Sequence, residues 1–429
     1  MTATLDAPTP AAATAAAALP APPPAYRTPI VLAVLAVVTA VMALATPAGA
    51  TNVRISTNTD LFQIPVFAVP GRATAWLLTV LVLAAAAYAF VLARGRRRIP
   101  VWVIVVAGVC ALLALLVLIS AGKTQVVPVT GLLAGTLFLA TPLVFGALSG
   151  VVCERVGIVN IAIEGQLLAG AFAAAVVASM AGSAYVGLIA APLAGVAVGA
   201  LLAFFSIRYQ VNQIIVGVVL NVLVVGLTSF LFSTVLRENP QLNSRTALPT
   251  LPIPLLSEIP LVGPVLFRQN LLVYLMYAIV IALQILIFRS RWGLRLRAVG
   301  EHPKAADTVG IDVNRTRWRN TLLGGAVAGL GGAFFTVASG LAFGKEMTAG
   351  RGFIALAAMI LGRWSPTGAV AAAVVFGLSD QLRILMATLA VPVPSQFLLM
   401  LPYVVTILAV AGFAGKVRAP AAEGIPYVK

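Results

Sequence analysis

The sequence predicts an all-α fold, a polytopic transmembrane helical bundle of about 10 to 12 spans. Three observations carry the prediction. The chain is 61% hydrophobic and only 9% charged, with a mean hydropathy of +1.05, whereas a soluble domain has about a quarter of its residues charged. Too few charges are present to cover a globular surface. Apolar runs of bilayer-crossing length recur along the whole chain. Finally, when these runs are threaded alternately across a membrane, every strongly basic loop lands on the same side.

Residues 1–28 are rich in Ala, Pro and Thr, and Pro20, Pro22, Pro23 and Pro24 break any helix. They read as a disordered N-terminal arm. The run from Pro29 to about Ala50 is read as an uncleaved first span. The competing reading is a signal peptide with a cleavage site near Ala48-Gly49-Ala50. Residues 51–72 are polar and read as a loop. A second span over 73–93 ends in Arg94-Gly95-Arg96-Arg97-Arg98, the densest basic cluster, which places that loop inside. Further spans are expected over 101–121, 129–148, 158–180, 185–207 and 213–236. A proline-rich outer loop covers 237–269, and a span over 271–288 returns to the cytoplasm. The loop 289–320 holds eight Lys and Arg and is again inside. A span over 321–343 follows. Arg351–Leu361 is apolar but too short to cross unaided. Two last spans, 367–386 and 396–414, carry the C-terminus inside as a cytoplasmic tail over 416–429.

A net charge of +16 in a soluble chain suggests nucleic acid, but here the basic residues sit in short interhelical loops, so the partner is membrane lipid and no nucleic acid is expected. Cys110 and Cys153 lack a CxxC spacing, and His302 is the single histidine. No metal site and no catalytic residues are expected. No GxxxxGK[ST] phosphate loop is present, so the chain binds no cofactor in that way.

Polar residues inside spans must face protein or a wet path, because an unsatisfied polar group in hydrocarbon costs several kcal/mol. Asn160, Glu164 and Gln166 lie on or near the fifth span, with Asn160 and Glu164 spaced to share a helix face. They read either as a cap plus an interfacial carboxylate or as the lining of a passage. Gln213 and Asn221 in the seventh span read either as interhelical glue or as pathway. Asp380 and Arg383 read as a structural pair. Gly324, Gly325, Ala328, Gly331 and Gly332 predict close helix packing. Glu164-Gly165 opens one helix and Glu346–Gly352 opens a short one, a pairing of interrupted segments that points to a site in transporters built from repeats.

The loop Gly293–Ile311 supplies its own local logic. Pro303 suits a first helical turn, Lys304–Val309 forms a short helix, and Gly310 stops it. This loop resembles the coupling segment of ABC-transporter permeases of the branched-chain amino acid/ribose family. Gly157-Ile158-Val159-Asn160-Ile161 with Glu164-Gly165 is similar to the nucleoside-uptake branch, and Arg351–Ala357 with Gly362–Pro366 is similar to its later signature. The resemblance covers about 130–415. It implies a type II importer-like permease with short or re-entrant helices, in which 29–128 is partly an extension and 129–415 the core. It further implies a bacterial inner-membrane subunit carrying nucleosides, and no enzyme. ATP would sit on a separate cytoplasmic ATP-binding subunit, alongside a second permease, a paralogue, and an extracytoplasmic substrate-binding lipoprotein. Asn160, Glu164, Gln166, Gln213 and Asn221 would line the pathway; Glu301, Pro303, Lys304, Ala305, Ala306 and Gly310 would couple to the ATPase. A sugar or branched-chain amino acid as cargo, and a proton-coupled secondary transporter, stand as the alternatives.

Overall fold

In the computed structural model, residues 26–389, 400 and 418–428 are described. The chain divides into two compact units, one of residues 1–47 with 71–118 and one of 48–70 with 119–429.

The first unit holds α1 (Arg27–Ala45), α2 (Gly71–Arg94) and most of α3 (Val101–Ser120). Leu32 and Ala36 of α1 pack with Leu78, Val82, Ala86 and Ala89 of α2 and with Val103, Ala107, Cys110 and Ala114 of α3. Small residues at these positions let the backbones approach closely, which is how helices gain packing in lipid. The Thr79 hydroxyl lies 3.1 Å from the Thr39 carbonyl and 2.9 Å from that of Ala75, so its polarity is absorbed by α1 and by its own helix.

In the second unit, residues expected to form a loop instead carry strands. β1 (Ala50–Arg54) pairs antiparallel with β2 (Phe67–Pro70) and parallel with β3 (Val126–Pro128). Segments of three to five residues are too short for an alternating pattern to declare itself in sequence. The proline-rich segment likewise contains a short antiparallel pair, β4 (Thr250–Pro252) with β5 (Arg268–Asn270).

The helices of this unit are α4 (Val129–Glu154), α5 (Ile163–Ala181), α6 (Ala184–Ala203), α7 (Gln213–Leu231), α8 (Leu271–Arg289), α9 (Arg291–Glu301), α10 (Pro303–Thr308), α11 (Val313–Gly332), α12 (Arg351–Leu361) and α13 (Pro366–Thr388). The fifth and ninth expected spans have corrected boundaries. The fifth span begins at Ile163 rather than near Ile158, because Gly157 adopts φ +89° and the chain through Asn160 is not helical. The ninth begins at Val313 rather than near Thr321. There the Asp312 carboxylate accepts the Arg315 amide at 2.9 Å and caps the helix. The apolar pattern starts later only because the first turns carry Arg315, Arg317 and Arg319. This helix also ends earlier than expected, passing through a 3-10 turn over Ala333–Phe335. Among the described residues, nine helices are long and apolar enough to cross a membrane. The span expected over 396–414 falls almost entirely outside the described residues.

The expected small-residue face of α11 is where the unit packs most tightly. A methyl at Gly324 would strike the Cys153 sulfur of α4, and one at Gly331 would lie 2.5 Å from Phe145 Cβ. On another side, a Cβ on Gly195 of α6 would overlap the Gly325 carbonyl and approach Gly329 Cα to 2.7 Å. The α6–α11 crossing is therefore backbone on backbone. Gly195→Val should cost about 3 kcal/mol by overpacking, read as a lower unfolding temperature of the detergent-solubilised protein. Gly226→Val, where added atoms meet open space, should leave that temperature unchanged.

Candidate functional site

The polar residues singled out in sequence converge on the start of α5. The turn Glu154–Ala162 leaves α4, and α5 then opens with Ile163 and Glu164. Asn160 and Glu164 do not share a helix face, since Asn160 precedes the helix; its side chain turns instead toward Gln166 and Ser149. The Asn160 amide donates to the Gln166 oxygen at 3.0 Å and to the Ser149 hydroxyl at 3.0 Å. Asn160 and Gln166 are both fully buried, so their mutual bonds are what make burial of two amides tolerable.

Gln213 and Asn221, from α7, brace the same turn. The Gln213 side-chain oxygen accepts the Val159 amide at 2.7 Å. Asn221 works in both directions, accepting the Gly165 amide at 2.8 Å and donating to the Ile161 carbonyl at 2.9 Å. One side chain thus satisfies a donor of the first turn of α5 and a carbonyl just before it, closing part of a helix end that has no intrahelical partners.

Glu164 reaches away from its own helix. Its carboxylate accepts from the Thr348 hydroxyl at 2.6 Å, the Gly350 amide at 2.9 Å and the Gly352 amide at 2.5 Å. The last two lie at the N-terminus of α12, where free amides and the helix dipole favour an anion. The expected pairing of two interrupted segments is therefore a direct contact: the carboxylate that opens α5 caps the short helix α12. The turn before α12 is bent sharply, with Glu346 at φ +51° and Ala349 at φ +47°. A Cβ on Gly352 would lie 2.5 Å from the Glu164 backbone, so only glycine allows this approach.

Glu164 and Asn221 also line a cleft of about 390 Å³, together with Val222, Val225, Glu346, Thr348, Ala349, Gly350 and Phe353. Its walls combine carboxylates, an amide and a hydroxyl with one half-exposed aromatic ring. Asn160, Gln166 and Gln213 do not line this cleft; they hold the turn behind it. Sequence reading missed Ser149, Thr348 and the α12 amides as members of the cluster. A glycine-rich turn leading into a short apolar helix was the available signal for the last two.

Asp380 and Arg383 approach to 3.9 Å as expected, and Arg351 of α12 joins them at 3.6 Å from Asp380. The first turn of α12 is thus tied to α13 as well as to α5. At the C-terminal end of α4, where the turn begins, Glu154 accepts the Trp364 indole N–H at 2.6 Å, and the Arg155 side chain donates to the Trp364 carbonyl at 2.8 Å.

The residues expected to couple to an ATPase lie on and beside α10, within the second unit. His302 caps α10 by accepting the Ala305 amide at Nδ1, 3.2 Å away, and Gly310 ends it with φ +83°. Pro303 occupies the first helical turn. Glu301, Lys304, Ala305 and Gly310 are exposed, whereas Ala306 is buried against the core.

Replacing Glu164 by Gln leaves one accepting oxygen where two served three donors. We expect the variant to insert into the membrane but lose about 1–3 kcal/mol from the unmade bonds. The loss should read as a lower unfolding temperature of the detergent-solubilised protein, with Glu164→Asp recovering part of it.

Residues 132–410 match the family described as "Branched-chain amino acid transport system / permease component". The chain is 39% identical to a nucleoside ABC transporter permease protein of Lactococcus lactis subsp. cremoris over 307 residues, 70% of this chain and 96% of the relative. It is 37% identical to a guanosine ABC transporter permease protein of Bacillus subtilis over 306 residues, 68% of this chain and 95% of the relative. A glucose ABC transporter permease protein of Haloferax volcanii is 30% identical over 245 residues, 54% of this chain and 63% of the relative. No solved structure is significantly similar to the chain. With its long apolar helices, the chain is a multi-pass protein of the bacterial inner membrane. The family model covers more than half of the sequence, and the chain belongs to the branched-chain amino acid transport system / permease component family.

Proposed function

We propose that this chain forms the translocation pathway for nucleosides in an ATP-driven importer. The observation that carries the reading is the cleft at the α5–α12 junction. The exposed Glu346 carboxylate, and beyond the bonds they already make the second N–H of the Asn221 amide and the accepting oxygen of Thr348, offer hydrogen bonds to a sugar hydroxyl or a base edge, and Phe353 offers a face for an aromatic base. The names of the two relatives that match over most of their length support the same cargo. In this reading residues 129–415 are the permease core and 29–128 an extension of it.

The chain itself hydrolyses nothing. ATP is bound and cleaved on a separate cytoplasmic subunit, and the exposed face of α10, with Lys304, Ala305, Thr308 and Val309, is the surface that meets it. A paralogous second permease completes the pathway and an extracytoplasmic binding lipoprotein delivers the solute. Movement of α10 reaches the cleft through its neighbours α9 and α11.

The Haloferax relative favours one second reading, a sugar as cargo. Proteoliposomes holding the purified complex separate the two. Uptake of labelled guanosine or uridine that requires internal-side ATP and resists competition by glucose supports a nucleoside. Glucose uptake without nucleoside uptake supports the sugar.

The structure also separates the two alanines of the coupling helix. Ala305→Asp, on the exposed face, should abolish uptake and loosen the ATP-binding subunit without disturbing insertion, as read by uptake and co-purification. Ala306→Asp buries a charge in the core and should lower the amount of folded protein instead.

A further inference from the structure

Residues 418–428 run across the cytoplasmic elements of the second unit in a conformation held at both ends. The Ala422 amide donates to the Gly300 carbonyl at 2.8 Å, and the Ala421 amide to the Glu301 carboxylate at 3.4 Å, so the tail grips the α9–α10 junction. Two residues further on, the Gly424 amide donates to the Gly157 carbonyl at 3.2 Å, gripping the α4–α5 turn. The Arg317 guanidinium of α11 donates to the Ile425 carbonyl at 2.9 Å and to that of Ala422 at 3.5 Å. Arg317 is only 2% exposed, a burial that the tail carbonyls make tolerable. At the far end the buried Tyr427 ring lines a cleft with Asp307, Gly310 and Ile311, and its hydroxyl reaches the Asp307 carboxylate of α10.

The receiving side is shaped to fit. Gly157 has φ +89°, and a Cβ there would come within 2.8 Å of Arg317 Nη2 and 3.0 Å of the Ala422 carbonyl. The turn that Gly157 begins is the one whose later residues, Val159 and Asn160, are held by Gln213, Ser149 and Gln166. The tail therefore bonds, on one side, to the residues flanking and forming α10 and, on the other, to the turn that opens α5 and carries Glu164.

We propose that the C-terminal segment 418–428 is a positioning strap that ties the coupling helix α10 to the α4–α5 turn, so that displacement of α10 is delivered to the substrate cleft. The proposal rests on the reading of α10 as the contact for an ATP-binding subunit. Without the strap, the junction of α9 and α10 still packs on the α4–α5 turn at Arg155, where a Cβ on Gly300 would overlap the Arg155 carbonyl, but none of the hydrogen bonds made by residues 421–425 remains between them. The strap acts through other residues and touches neither cargo nor nucleotide, so its signature is lost coupling rather than lost binding.

The test is a parallel measurement of nucleoside uptake and ATP hydrolysis by the complete complex in proteoliposomes, with the full chain and with a chain ending at residue 417. The full complex should show ATP-driven uptake and substrate-stimulated hydrolysis. The shortened chain should insert and retain its ATP-binding subunit, yet uptake per ATP hydrolysed should drop by about tenfold, a usual size for a coupling between sites. Gly424→Pro provides the same reading with the tail present: it removes the amide that binds Gly157 and forbids the φ of +73° found there. It decides the matter if the shortened chain fails to assemble. Unchanged uptake per ATP in an assembled variant overturns the strap while leaving the transport reading intact. Absence of any ATP-driven uptake by the full complex overturns the transport reading itself.

Discussion

A short helix placed among membrane spans must find partners for the amides of its first turn, because lipid supplies none. The structure meets this constraint for α12 with one carboxylate. Glu164 takes the Gly350 and Gly352 amides and the Thr348 hydroxyl together. The charge is compensated by donors and by the helix dipole rather than by a basic side chain. This arrangement fixes α12 against α5, sets the bend of the turn before it, and forms one wall of the cleft. Asp380 with Arg351 fixes the same helix start to α13. The cleft is consequently bounded by elements bonded to one another at the start of α12.

The rest of the second unit supports that junction in two ways. On the apolar side, α11 approaches α5 and α6 through glycines, so that backbones meet, and receives the Cys153 and Phe145 side chains of α4 against Gly324 and Gly331. In hydrocarbon, where apolar burial gives no advantage over lipid, this close van der Waals packing is the main source of helix association. On the polar side, the α4–α5 turn is held by Ser149, Gln166, Gln213 and Asn221, each bonded to a backbone group or an amide. Asn160 sits at the centre of this set. Its environment is that of a structural keystone for the turn, while Glu164 and Asn221 are the members that also face the cleft.

Much of the architecture was legible in the chain. Spans of apolar residues separated by basic turns give the order of most of the long helices, since the membrane imposes their length; the expected ninth span is the exception, because α11 is not among the nine described helices long and apolar enough to cross. The short helix α10 was equally legible, because Pro303 and Gly310 punctuate a helix through local backbone rules that need no tertiary context. Helix starts were less so. Asn160 and Glu164 have helical spacing, but spacing carries no information about a left-handed Gly157 that delays the helix until Ile163. The arginines at the start of α11 concealed helix behind polarity, and β1, β2 and β3 were too short to show a period.

By itself, then, the sequence determined that this protein is a polytopic helical bundle and which few polar residues its spans must accommodate. Those properties follow from local composition and from the solvent the chain must live in. Only the tertiary structure decided what the polar residues do. Glu164 and Thr348 are separated by 184 residues, and Gly157 meets the tail from still further along the chain. Such pairings depend on how helices cross, and a hydrogen bond formed across a crossing leaves no periodic trace in either segment.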